Sequence, residues 1–202
     1  MKYARTPHLK WSIGGTADDI RLANTSHFNN KTLLYSEKLD GECSCLTRDT
    51  IHARSEDGYC KSWQTYMKSY WNNMKHNIPD DMTIFGENLY AIHSIEYNSL
   101  PSYFFVFNIV YKGVFISYQE MSEWCELLDL HKVPVFLKSD RLVEMEIPSK
   151  SAFGDVCEGY VVRNIEAFPI EEFQYNVAKC VRENHVKTDE HWTKNWKKAK
   201  LI

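Results

Sequence analysis

Only two stretches of this sequence carry the apolar period of a helix, and the other regular segments read as short strands. A parallel sheet needs a crossover, usually helical, at nearly every step. So few helices among so many strands therefore imply mainly antiparallel sheets with flanking helices, an α+β domain. In the first helix, predicted over 62–75, Trp63, Tyr66, Met67, Tyr70, Trp71 and Met74 recur at three-and-four spacing and form one apolar stripe. The second opens at the S-x-x-E capping box of Ser117 and Glu120 and should bury Met121, Trp124, Leu127 and Leu128. Strands are predicted over 33–35, 43–47, 51–53, 82–85, 103–111, 114–117, 159–163 and 173–180, with a polar turn at Arg48-Asp49.

No linker, repeat or low-complexity segment interrupts the 202 residues, so one domain over 1–202 is expected, ending in a basic tail over 180–202. No apolar run is long enough to span a bilayer, and the N-terminus lacks the apolar stretch of a signal peptide, which points to the cytoplasm. The six cysteines include no C-x-x-C pair and read as reduced structural thiols; Cys43 and Cys45, two positions apart in a strand, should share a core face. A net charge of -3 gives no global nucleic-acid signal. The signal is local: from Lys179 to Ile202, seven Lys/Arg face three Asp/Glu, with Trp192 and Trp196 among them.

The chemistry concentrates around Glu37-Lys38-Leu39-Asp40-Gly41. In isolation K-x-D-G is an ordinary polar turn. Here it is followed in order by Ala53-Arg54-Ser55, Phe85-Gly86-Glu87, the run Phe104-Phe105-Val106-Phe107-Asn108-Ile109, Glu158-Gly159-Tyr160-Val161-Val162-Arg163, and Lys179. A lysine placed in such a loop can be a nucleophile only as its neutral amine, so its pKa must fall from about 10.4 through cations, a metal ion or desolvation. Arg54 and Lys179 are the cations the sequence offers. Phe105 and Phe107 fall on one strand face, and either could simply be core.

This series resembles the covalent nucleotidyltransferases, and within them the phage double-strand-repair and kinetoplastid-editing RNA ligases, over residues 33–179. The opening Thr6-Pro7-His8-Leu9 and the closing His185-Val186-Lys187 with His191-Trp192 are similar to a bacterial and phage branch of those ligases. The resemblance implies a nucleotidyltransferase fold and an ATP-dependent RNA ligase that joins 3′-hydroxyl and 5′-phosphate ends through a lysyl-AMP on Lys38 and an AMP-capped 5′ end. It implies a nucleotide site of Glu37, Lys38, Asp40, Gly41, Arg54, Glu87, Phe107, Glu158 and Lys179. Within it Glu87 would accept from the ribose hydroxyls and Phe107 would stack on adenine, worth roughly 1–3 kcal/mol. Glu158 would hold Mg²⁺ or Mn²⁺, Lys179 would sit on the α-phosphate as a second catalytic group, and Arg54 would grip the acceptor 5′-phosphate.

The implied partner is RNA, with a nicked duplex or RNA–DNA hybrid among the options, acted on by a monomer in a bacterial or phage-infected cell. No room remains for an appended oligonucleotide-binding-fold domain. One departure stands out: the relatives end on Lys-x-Lys, whereas this chain reads Lys179-Cys180-Val181-Arg182, with Val181 on the face of Lys179; Arg182 or Lys187 are the substitutes. The histidines give little: His8 lies beside a proline in a segment that could cover the nucleotide pocket and reads as a surface residue, and phosphate contact by His185 and His191 in the tail is the lesser alternative. The competing activities are a minimal DNA ligase, a capping-type guanylyltransferase using GTP, and a degenerate RNA-binding module. Retention of Lys38, Asp40, Gly41, Glu87, Glu158 and Lys179 together argues against the last.

Overall fold

The computed structural model describes residues 1–15, 19–54, 59–183 and 195–202. In chain order its strands are β1 (Leu33–Lys38), β2 (Glu42–Leu46), β3 (Ile51–Ala53), β4 (Met82–Asn88), β5 (Phe104–Tyr111), β6 (Val114–Phe115), β7 (His131–Lys132), β8 (Val135–Ser139), β9 (Gly159–Asn164), β10 (Phe168–Pro169) and β11 (Val177–Val181). Helices α1 (Thr65–Met74) and α2 (Tyr118–Leu127) complete the set. One sheet has the order β11-β9-β1-β8 and the other β10-β6-β5-β4-β2-β3, with β7 added to β5. All pairings are antiparallel except β5–β7, so the α+β expectation holds.

Burial follows from position in the sheets. β1 is paired on both sides, and its LLYSE residues are all buried. The stripe on α1 divides: Met67, Trp71 and Met74 enter the core beneath the second sheet, each worth roughly 1.5–3 kcal/mol of apolar burial. Trp63, Tyr66 and Tyr70 stay at its margin, partly exposed. The capping box of α2 is present in full: the Glu120 amide donates to Ser117 Oγ, and the Ser117 amide to Glu120 Oε2. The two sheets are tied together by Arg163 on β9, whose guanidinium donates to Asn108 Oδ1 on β5 and to the Ile116 carbonyl.

Several expectations are corrected. The strand expected over 173–180 begins only at Val177, because Ile170–Tyr175 wind into a 3-10 helix after Pro169, whose φ of -60° suits a helix entry. β8 gave no strand signal, being only half apolar at the sheet edge. On α2 the buried positions are Met121 and Cys125; Leu127 is 73% exposed, since it lies about 120° around the helix from Met121. His8 is buried at 1% exposure, its Nδ1 2.8 Å from Ser12 Oγ. Cys43 and Cys45 do share a core face, and all six thiols are free, Cys60 alone being exposed.

Residues 195–202 return to the body: the Ile92 amide donates to the Lys197 carbonyl, the Ala199 amide to Tyr90 and the Ile202 amide to Leu100. Ser55, His185, Val186, Lys187, His191, Trp192 and Lys194 lie outside the described residues. Among the described residues, no helix is long and apolar enough to cross a membrane.

Candidate active site

Lys38 ends β1 directly opposite Gly159 of β9, and Gly159 is in turn opposite Val181 of β11. The lysine motif, the Glu158-Gly159 motif and the last motif therefore meet at one end of three adjacent strands. Gly159 is required by closeness, since a Cβ there would run into the Cys180 carbonyl oxygen. From the other sheet come Glu87 on β4 and Phe107 on β5. The β4–β5 register slips between Phe85–Asn108 and Gly86–Val106, leaving Phe107 unpaired in a bulge. That separates the two phenylalanines: Phe105 is 1% exposed in the core, while Phe107 borders a cavity.

This cavity, about 740 Å³, opens between the sheets and is bordered by Lys38, Gly41, Arg54, Glu87, Phe107 and Lys179. Its size suits a nucleotide-sized ligand. Glu37 borders it too, but its carboxylate is buried and accepts from the Ala152 amide at 3.0 Å. Asp40 does not line the cavity. Its Oδ2 accepts from the amides of Ser94 and Ile95 at 2.7 and 2.8 Å, fixing the loop that brings His93 to the rim. Gly41 donates its amide to Glu87 Oε1 at 3.0 Å, and a Cβ at Gly41 would lie 2.5 Å from the Asn88 carbonyl oxygen. Glycine here lets the lysine loop pack onto β4 and aims Glu87 at the cavity.

Glu158 sits behind Lys38 at 3% exposure, with Lys38 Nζ donating to its Oε2 at 2.7 Å. Burial alone would lower the pKa of Lys38, but Glu158, Glu87 and Asp40 outweigh it and hold the amine as an ammonium. The expected cationic neighbours do not set its protonation here; carboxylates do. Burial pushes Glu87 up to about 8, against the attraction of Lys38 and with Glu158 and Asp40 adding to the rise. Lys179 is shifted downward by burial, with Lys38 adding to the shift; its ammonium lies 3.5 Å from Asp19 Oδ1, which opposes it. Asp19 Oδ2 is 3.4 Å from Nε2 of His8, whose pKa burial and Lys179 lower to about 4.

Val181, in the place of the missing second lysine, is 2% exposed and covered by the N-terminal segment, the Gly14 amide donating to its carbonyl. Arg182 donates its amide to the Glu158 carbonyl and does not border the cavity. That same N-terminal segment, which the sequence suggested as a cover of the pocket, forms a wall of the site. The Lys179 amide donates to the Pro7 carbonyl and the Leu9 amide to the Lys179 carbonyl, which lays Lys2 to Thr6 along the cavity. Tyr3 packs edge-on against Phe107 with ring centroids 5.0 Å apart, and Lys2 and Arg5 add cations. Arg163 reaches the cavity from below, its pKa lowered to about 10 by burial.

A divalent cation fits this donor set in one way only. Among the described residues no group of three or more His, Cys, Asp or Glu could cage a metal. Glu158 is a buried carboxylate beside Lys38, and a hard cation held by one or two carboxylates leaves its other positions to phosphate oxygens and water.

The RNA ligase family model matches residues 31–181. No curated protein matches. Among solved structures, the Naegleria gruberi RNA ligase superposes with a TM-score of 0.54 for an apo mutant (12% identity, 78% of this chain and 51% of that one). The values are 0.57 for a mutant with ATP and Mn (14% identity, 87% and 59%) and 0.55 for the protein with PPi (14% identity, 90% and 60%). At these identities the likeness concerns the fold, and the chain spans little more than half the length of the proteins it matches.

Proposed function

The chain belongs to the RNA ligase family, and on that premise we propose that it is an ATP-dependent RNA ligase working through adenylylated Lys38. The observation that carries this reading is the placement of the Lys38 amine at a nucleotide-sized cavity, between Glu158 and Glu87 and near Lys179. In the first step Lys38 Nζ attacks the α-phosphorus of ATP; a P–N bond forms, the P–O bond to the β-phosphate breaks, and pyrophosphate leaves. In the second, a 5′-phosphate oxygen of RNA attacks the same phosphorus and lysine departs, giving an AMP-capped end. In the third, the 3′-hydroxyl attacks the 5′-phosphorus and AMP leaves. The P–N bond keeps the energy of the ATP anhydride available without a second ATP, which a lysine serving only as a phosphate clamp could not do.

The other side chains supply positioning and charge. Lys179 stabilises the charge that develops on the α-phosphate oxygens. Phe107, braced by Tyr3, stacks on adenine, and Glu87 accepts from the ribose hydroxyls. Arg54 holds the 5′-phosphate of the acceptor. Mg²⁺ or Mn²⁺, held by Glu158, would neutralise the carboxylate that keeps Lys38 charged, so that the amine can lose its proton. The likeness to the Naegleria ligase complexed with ATP and Mn supports the choice of nucleotide and metal.

Incubation with labelled ATP or GTP and Mg²⁺, then denaturing electrophoresis, tests the reading. ATP should label the protein and GTP should not; label from GTP alone would make it a guanylyltransferase. Nicked duplexes with RNA or DNA on the 3′-hydroxyl side then decide the acceptor, and sealing only of DNA would overturn the RNA assignment.

A further inference from the structure

Where residues 195–202 close onto the start of α1, aromatic rings collect at the surface and are not drawn into the core. Trp196 meets Trp63 with centroids 6.5 Å apart and Tyr90 at 5.8 Å, and its Nε1 donates to Ser62 Oγ at 3.0 Å. Tyr66 and Tyr90 lie parallel, 4° apart in plane with centroids at 5.2 Å. All four rings are partly exposed, although α1 has buried apolar residues of its own to anchor it. Lys198 lies over Tyr90 and Tyr103 at 5.3 and 5.8 Å, and Lys197 and Lys200 are exposed beside it. Among the described residues none of these three lysines forms an ion pair.

The patch is joined to the nucleotide cavity. Glu42 borders the cavity, and its Oε1 accepts from Trp63 Nε1 at 3.1 Å and from Gln64 Nε2 at 2.8 Å. A strand with its 5′ end at Lys38 would therefore meet Trp63 first, then Trp196 and the lysines.

We propose that this seam of Trp63, Tyr66, Tyr90 and Trp196 with Lys197 and Lys200 is the platform on which the RNA strand runs out of the active site, its bases or riboses on the rings and its phosphates on the lysines. The proposal rests on the RNA ligase reading. Every base has a π-face, so rings bind RNA without regard to sequence, and backbone phosphates complement exposed lysines that form no ion pair among the described residues. The rings are pre-assembled by contact with one another, so little ordering remains to be done when RNA arrives.

The test is fluorescence anisotropy of the full chain with a labelled nicked RNA duplex bearing a 5′-phosphate, over a salt series, with self-adenylylation and thermal melting measured on the same preparations. Trp196→Ala should weaken RNA binding about 10-fold, the size of one lost stacking contact. Lys197→Glu/Lys200→Glu should make the slope of log affinity against log salt shallower by about 1.5. Both should self-adenylylate within about twofold of the wild type, a margin that an RNA-specific defect leaves intact. If Trp196→Ala lowers the melting temperature, the exposed lysine pair decides alone. Wild-type affinity and salt slope in the lysine pair would overturn the platform. A wild-type protein that binds RNA through these residues yet takes no label from ATP would leave the platform standing and sink the ligase reading.

Discussion

Lys38 Nζ lies 2.7 Å from Glu158 Oε2, so the amine is held as an ammonium by a buried carboxylate. On the proposed reading this holds the nucleophile in its unreactive form, and a cation that neutralises Glu158 would release it. Replacing Glu158 by Gln relieves that hold but also removes the carboxylate proposed to bind Mg²⁺, so ATP-dependent labelling should fall about 100-fold or more, the scale of losing one electrostatic group at a reacting centre. The neutral amide can still accept from Lys38, so the melt should change little. A variant that keeps wild-type labelling and Mg²⁺ dependence would make Glu158 structural.

Glu87 makes stability depend on pH in a direction that can be worked out. Its pKa rises from the ordinary carboxylate range to about 8 on folding, so the folded chain holds a proton that the unfolded chain has released. Its favourable contribution is complete below about 4.5 and is lost as pH rises through about 8. His8 works the other way: lowered to about 4, it adds stability above about 6.5 that is lost as pH falls toward 4. The difference between wild type and Glu87→Gln isolates the first effect. Wild-type urea midpoints should fall relative to the variant from pH 5 to 8.5, and superimposable profiles would contradict the assignment.

Phe107 is freed by the bulge to face the cavity and is braced by Tyr3. Phe107→Leu keeps the apolar bulk and removes the flat face, so the KM for ATP in self-adenylylation should rise about 10-fold with melting unchanged. An unchanged KM would mean that the ring only packs against Tyr3.

What was legible in the sequence was local or carried by spacing. The Ser117/Glu120 box fixes the start of α2 within four residues. The K-x-D-G and Glu158-Gly159 motifs meet because each ends or begins a strand of the same sheet. The roles of Glu37 and Asp40 were not legible, since their carboxylates turn to the amides of Ala152, Ser94 and Ile95, in loops far along the chain. The N-terminal segment was suggested as a cover of the pocket, but its contacts were hidden for the same reason: Pro7 pairs with Lys179 across most of the sequence. The basic composition of the tail did not say where it lies: Ala199 is buried, and Trp196 meets Ser62, Trp63 and Tyr90.

The most direct measurement is peptide mapping of the protein after labelling with ATP and Mg²⁺, alongside Lys38→Ala. The account predicts AMP on Lys38 alone, because Lys38 is the cavity lysine flanked by both Glu158 and Glu87, and no label in the variant. Label on Lys179, or undiminished labelling of Lys38→Ala, would contradict it.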